Sequence, residues 1–149
     1  VNGIYDFHHY HSTAHEVLGV SRGTGWVRFG GPDGYELEVQ AGDVVLVPAG
    51  VAHRRLDASA DFEVVGAYPR GQRPDMCYGR PGEQPAADER IRTVGLPLKT
   101  PCMGQWALEG VLEQGHVKRQ AVSKAGWVVG TKPAFHGEKK CIASAASAV

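Results

Sequence analysis

Gly3-Ile4-Tyr5-Asp6-Phe7-His8-His9-Tyr10-His11-Ser12-Thr13-Ala14-His15-Glu16 crowds four imidazoles and a carboxylate into residues 8–16, and Gly23 closes the stretch. Side chains alternate across an extended strand, so His9 and His11 share one face. Imidazole and carboxylate are ordinary ligands for first-row divalent metals. Two nitrogens side by side make half a site, and a third imidazole and a carboxylate must come from elsewhere. Simple alternation favours His15 as the next member of that face. The Ser12-Thr13-Ala14 link can break the register and bring Glu16 in instead.

A second stretch supplies the missing imidazole. Gly42-Asp43 is a turn signal, Val44-Val45-Leu46-Val47 is a β-branched apolar run, and Pro48-Ala49-Gly50 breaks it just before His53. The run reads as a buried strand. A side chain delivered directly after a tight turn has a well-defined direction.

Taken together, the two stretches resemble the paired signature motifs of the cupin superfamily. The matching positions are Gly3, His9, His11, Glu16 and Gly23, then Gly42, Pro48, Gly50 and His53. The resemblance implies an all-β fold, a double-stranded β-helix or jelly-roll barrel. It also implies a divalent metal held by His9, His11, Glu16 and His53, which selects Glu16 over His15. A set of three nitrogens and one oxygen without thiolate suits Fe, Mn, Ni, Cu or Zn, with positions left for water or substrate. The likeness is strongest to small bacterial single-domain cupins of unassigned function. It is carried by His8 to Val20, by Pro48-Ala49-Gly50-Val51-Ala52-His53 and by Val65-Gly66-Ala67-Tyr68-Pro69, and it fades after about residue 104.

The rest of the chain is read outward from these motifs. Strands are predicted over Gly3–Tyr10, His15–Arg22, Trp26–Phe29, Tyr35–Gln40, Val44–Val47, His53–Leu56 and Phe62–Tyr68. Arg70 to Ala87 is rich in Gly, Pro and polar residues and is expected to wrap the barrel irregularly, with one more strand over Ile91–Leu98. Twenty Gly and nine Pro fit many short strands joined by turns.

Net charge is zero, yet it is unevenly spread. Residues 1–113 hold ten Lys and Arg against fifteen Asp and Glu, while residues 114–149 hold six against one. This divides the chain into a barrel with its wrapping segment (1–113) and a basic tail (114–149). The tail loses the alternating pattern, ends in Ala143-Ser144-Ala145-Ala146-Ser147-Ala148-Val149 and is expected to be disordered or a non-native extension. No aromatic-interleaved basic stripe points to nucleic acid, and no apolar run is long enough to cross a membrane. Three cysteines, Cys77, Cys102 and Cys141, form no paired motif, which agrees with a reducing, cytoplasmic setting.

Around the ligand set, Tyr5 and Phe7 offer rings toward a small-molecule ligand. Arg55 shares strand parity with His53 and can pair with a carboxylate. His8 points opposite to His9 and is expected at the surface. No further acid or base stands out except His15 and Tyr10, so the catalytic residues stay unassigned. The resemblance implies a metal-dependent, oxygenase-like enzyme acting on a small polar molecule inside the barrel. A sugar isomerase or epimerase and a non-catalytic sensor or carbohydrate-binding barrel stay open, because a fold does not fix a function. A homodimer is expected, with Ile91–Leu98 as the strand that pairs between copies.

Overall fold

The structure, a computed structural model, describes residues 3–95 and the backbone of two later strands, Trp127–Lys132 and Lys139–Ser144. In chain order the elements are β1 (Glu16–Arg22), β2 (Thr24–Phe29), β3 (Tyr35–Gln40), β4 (Val44–Val47), β5 (His53–Ala58), β6 (Glu63–Ala67), α1 (Gln84–Thr93), β7 (Trp127–Lys132) and β8 (Lys139–Ser144). Among the described residues they form an all-β barrel of two sheets with one short helix. One sheet runs β6-β1-β4-β8-β7 and the other β3-β2-β5.

The alternating pattern of the strands explains the core. Leu18 and Val20 of β1, Val45 and Val47 of β4 and Val64 of β6 face Val27 and Phe29 of β2 and Val39 of β3, all buried. Full burial of side chains of this size contributes about 1.5–3 kcal/mol each, so this one cluster is the main support of both sheets. Register then places the site. Glu16 is the first residue of β1 and pairs with Val47, the last of β4. His53 is the first residue of β5 and pairs with Phe29, the last of β2.

Several boundaries differ from the sequence reading. Gly3–Tyr10 is extended but forms no strand: it bends at Asp6-Phe7 and makes isolated bridges, His9 with His53 and Tyr10 with Cys77. The segment is shared between two partners, so neither ladder grows. The Arg55 N–H donates to the Tyr5 carbonyl at 2.8 Å on one side, and the Tyr10 N–H donates to the Cys77 carbonyl at 2.9 Å on the other.

The strand expected over Ile91–Leu98 is also corrected. Ile91 to Thr93 end helix α1, and the residues from 96 to 98 lie outside those described. Gln84, Ala86, Ala87, Glu89, Arg90 and Arg92 are good helix formers, and Pro85 sits in the first turn where its missing N–H costs nothing. The helix has few apolar residues to announce it. Ala87 and Ile91, one turn apart, pack with Tyr10, Ala52 and Cys77 in a small second core. Ile91 also closes on Gly50, which has φ +85°, and a Cβ there would stand 2.8 Å from Ile91 Cδ1.

The stretch 114–149 contributes β7 and β8. β8 runs parallel to β4, with Val44 opposite Cys141 and Leu46 opposite Ala143, and β7 pairs antiparallel to β8. The rest of that stretch lies outside the described residues.

Candidate metal centre

The two sequence motifs meet at one end of the barrel. The Gly50 N–H donates to the His11 carbonyl at 2.8 Å, so the turn before His53 is tied to the segment that carries His9 and His11. The His9 and His53 backbones exchange hydrogen bonds at 3.2 and 2.9 Å. The two imidazole centroids are consequently 4.3 Å apart, and the His11 ring is 5.6 Å from His9 and 6.2 Å from His53. All three imidazoles are buried, as is Glu16. Glu16 Oε2 lies 3.3 Å from His11 Nε2 and 3.3 Å from His53 Nε2.

Backbone carbonyls set the direction of every imidazole. Nδ1 of His9 faces the Phe7 carbonyl at 3.2 Å, Nδ1 of His53 faces the Val51 carbonyl at 3.4 Å, and Nδ1 of His11 faces the Asp75 carbonyl. A carbonyl oxygen only accepts, so each Nδ1 carries the proton. In the neutral ring, Nε2 then presents a lone pair. The Nε2 atoms of His11 and His53 both meet Glu16 Oε2, a buried acceptor with no hydrogen bond of its own. Acceptors facing acceptors repel unless a cation or a proton lies between them.

The donor spacing suits a metal. Two donors bound at about 2.0–2.2 Å stand roughly 2.8–3.6 Å apart in tetrahedral or octahedral geometry, which brackets the 3.3 Å separations. The side chains have not drawn in around one point: among the described residues, no group of three or more His, Cys, Asp or Glu has closed to metal-binding geometry. The fit rests on the orphaned Oε2 and the fixed ring directions.

Protonation follows the same layout. Burial, assisted by the neighbouring His53 ring, pushes His9 down to about 4 and keeps it neutral. Burial opposes a charged His11, but the Glu16 carboxylate and the Asp75 carbonyl outweigh it and raise its pKa. Burial also disfavours the Glu16 charge, yet contacts from His11, His53 and Tyr68 bring its carboxyl down to about 2. The carboxylate is ionised at any ordinary pH.

Two residues that the sequence reading passed over hold this arrangement. The Tyr68 hydroxyl donates to Glu16 Oε1 at 2.9 Å and lies 3.4 Å from His11 Nε2. With Oε1 engaged, Oε2 is the oxygen left for the imidazoles. Gly66 leaves room for this carboxylate, since a Cβ there would stand 2.8 Å from Oε1. Tyr68 belongs to the Val65-to-Pro69 run already singled out, so that signal was present.

Asp75 had no such signal. Its carbonyl orients His11 while its carboxylate accepts from the Ser12 N–H at 2.6 Å and from the Ser12 hydroxyl. Arg90 of α1 closes the belt, with Nε 2.6 Å from Ser12 Oγ and 3.4 Å from Asp75 Oδ2.

The remaining expected residues are placed as follows. His15 is buried away from the quartet, where Nδ1 accepts from the Ala49 N–H at 3.0 Å and so braces the Pro48–Gly50 turn. His8 is half-buried rather than at the surface, near Arg54 and Arg28. Tyr10 packs under the helix. Tyr5 and Phe7 stand beside the His9 ring, with centroids at 5.2 and 5.7 Å. Arg55 lies along the N-terminal segment against Gly3 and is half-buried.

The family profile described as Cupin matches residues 2–64, which include all four clustered side chains. A protein of Bacillus subtilis (strain 168), named "Uncharacterized protein YjlB", is 42% identical over 102 residues, covering 68% of this chain. The chain spans 62% of that relative's length. No solved structure matches.

Proposed function

The chain belongs to the cupin family, and from that premise we propose that it is a metal-binding cupin that works as a metal-dependent, oxygenase-like enzyme on a small polar molecule in the barrel. His9, His11, Glu16 and His53 would hold one Fe, Mn, Ni, Cu or Zn ion. The observation that carries this is the convergence of the His11 and His53 Nε2 atoms on the buried Glu16 Oε2, each at 3.3 Å, with the Nδ1 atoms turned to backbone carbonyls. When bound, such an ion supplies a Lewis-acidic or redox-active centre with positions open to a small ligand. The residues of the chain do the rest. The carbonyls of Phe7, Val51 and Asp75 hold the ring protons away from the centre. Tyr68 holds the proton of its hydroxyl on Glu16 Oε1. Tyr5, Phe7 and Arg55 form the side from which a ligand arrives.

A second reading is a non-catalytic sensor or carbohydrate-binding barrel. Tyr68 favours it: burial and the Glu16 carboxylate raise its pKa, which makes it a poor proton donor. A sugar isomerase or epimerase would need a proton-transfer group that the described residues around the quartet do not display. Elemental analysis of freshly purified protein, then oxygen uptake by the Fe(II)-loaded protein with a small-molecule panel, separates these readings. One equivalent of metal with substrate-dependent uptake supports the oxygenase. Metal with no uptake supports a metal-loaded binding barrel, and no metal removes the oxygenase.

The proposal includes a homodimer in the cytoplasm. Trp26, 46% exposed on the outer face of β2, supports an interface, and light scattering tests it. Cys77, buried and unpaired, supports a reducing compartment, and cell fractionation tests that. Among the described residues no helix is long and apolar enough to cross a membrane.

A further inference from the structure

The quartet has one closed side and one open side. Behind His53 the ring of Phe29 stacks at 6.1 Å and is fully buried, so the hydrophobic core closes that side. Around His9 and His11 the neighbours are exposed rings. Tyr5 and Phe7 stack on each other at 4.8 Å with planes 19° apart, and both meet the His9 ring edge-on. Tyr78 follows, 6.0 Å from Phe7. Tyr68 meets the His11 ring at 5.5 Å. These four rings are 37–53% exposed, a costly arrangement for side chains that could have been buried in a core.

We infer that this site takes a planar aromatic ligand bearing adjacent oxygen donors, with its ring against Tyr5, Phe7 and Tyr78 and its oxygens directed at the quartet. The inference rests on the metal reading above and names its substrate class. A ligand that reached the quartet from the side that Phe29 does not close would pass beside the exposed rings. Aromatic faces attract another flat ring through offset stacking. Arg80 lies 4.7 Å from the Tyr78 centroid and draws electron density from that ring, which suits an electron-rich aromatic partner such as a diphenol.

The test uses the full chain loaded with Ni(II), with metal content measured first. 4-Nitrocatechol is the aromatic probe, read by its absorbance shift, and oxalate is the non-aromatic chelator, read by competition. For Tyr78→Ala and Tyr78→Leu, affinity for 4-nitrocatechol is expected to fall by about tenfold, the scale of one lost ring contact, with oxalate affinity and Ni(II) content unchanged. Equal losses for both probes, or no loss for either, overturn the inference while the metal reading stands. Conversion of a dimer to a monomer by these variants, without a selective loss of nitrocatechol, assigns the rings to a second copy and also overturns it. Failure to load Ni(II) or any other ion of the series brings down the metal reading and this inference with it.

Discussion

Glu16 and His53 reach the site from the first residues of β1 and β5, where sheet ladders and a shared hydrophobic core hold the backbone. His9 and His11 come from a segment that has two isolated bridges and no ladder of its own. The strand-borne pair is positioned by what makes the fold stable. The segment-borne pair is positioned by the residues around it: β5 on one side, the Pro48–Gly50 turn below, and Asp75 with Arg90 on the other. Half of the quartet is inherited from the barrel, and half depends on a belt that lies outside the two motifs. The difference predicts that damage to the two halves has separable signatures.

The largest effect belongs to the shared carboxylate. Glu16→Gln keeps the side-chain size but removes the charge and replaces one oxygen with a donor amide. Metal content is expected to drop to background by elemental analysis, beyond the roughly 10–100-fold loss typical of removing an outer partner. Because the core of β1 is untouched, circular dichroism is expected to stay that of a β protein. Full retention of metal by Glu16→Gln would show that the three imidazoles suffice and that the strand-borne carboxylate is not a ligand.

The belt comes next. Asp75→Ala removes the carboxylate that pins Ser12 and Arg90, leaving the carbonyl that orients His11 without its anchor. The expected result is a metal affinity weaker by about 10–100-fold, with the protein still folded. Arg90→Gln, which loosens only the outer end of the belt, is expected to give a smaller loss. Titration with a competing chelator measures both. Equal affinities in all three proteins would mean that the segment holds His11 without help, and the contrast between the two pairs would disappear.

The same contrast accounts for what could be read from the sequence. Strands in the core are marked by alternation or by a short apolar run with turns at their ends, and Tyr35–Gln40 and Val44–Val47 match their expected limits. The quartet was legible because spacing within a motif survives even where the local structure is misread. His9 and His11 share a side although their strand did not form. Helix α1 was hidden because Ala87 and Ile91 are its main apolar contacts, too few to set a 3.6-residue period. Asp75 was hidden for a different reason: its contribution is mostly a main-chain carbonyl, which any residue type provides. Tyr68 could have been suspected from its place in a family-like run, but only the fold shows that its hydroxyl reaches Glu16.

Gly66→Ala probes the strand-borne side more gently. The added Cβ would stand 2.8 Å from Glu16 Oε1, so the carboxylate must turn or β6 must give way. Overpacking of this kind costs about 1–3 kcal/mol. A loss of metal affinity of several-fold, smaller than that of Asp75→Ala, is expected from chelator competition. If affinity is unchanged and only the melting temperature falls, β6 has moved instead and the carboxylate has kept its place.

The smallest effect on the site is expected from the far end of the chain. Residues 114–149 contribute none of the four side chains in the quartet, and β8 adds to β4 along an edge rather than at the end where Glu16 and His53 lie. Three residue pairs define the β4–β8 register, and each backbone hydrogen bond contributes about 0.5–1.5 kcal/mol net. Removing 114–149 is therefore expected to lower the melting temperature by several degrees and to leave the edge of β4 open to self-association. Metal content per chain and chelator-competition affinity are expected to match the full-length protein. An unchanged melting temperature would mean that the β4–β8 pairing contributes nothing in solution, in keeping with a dispensable tail. Loss of the metal would mean that the C-terminal strands are part of the barrel that positions Glu16, and the division of the chain at residue 113 would have to be abandoned.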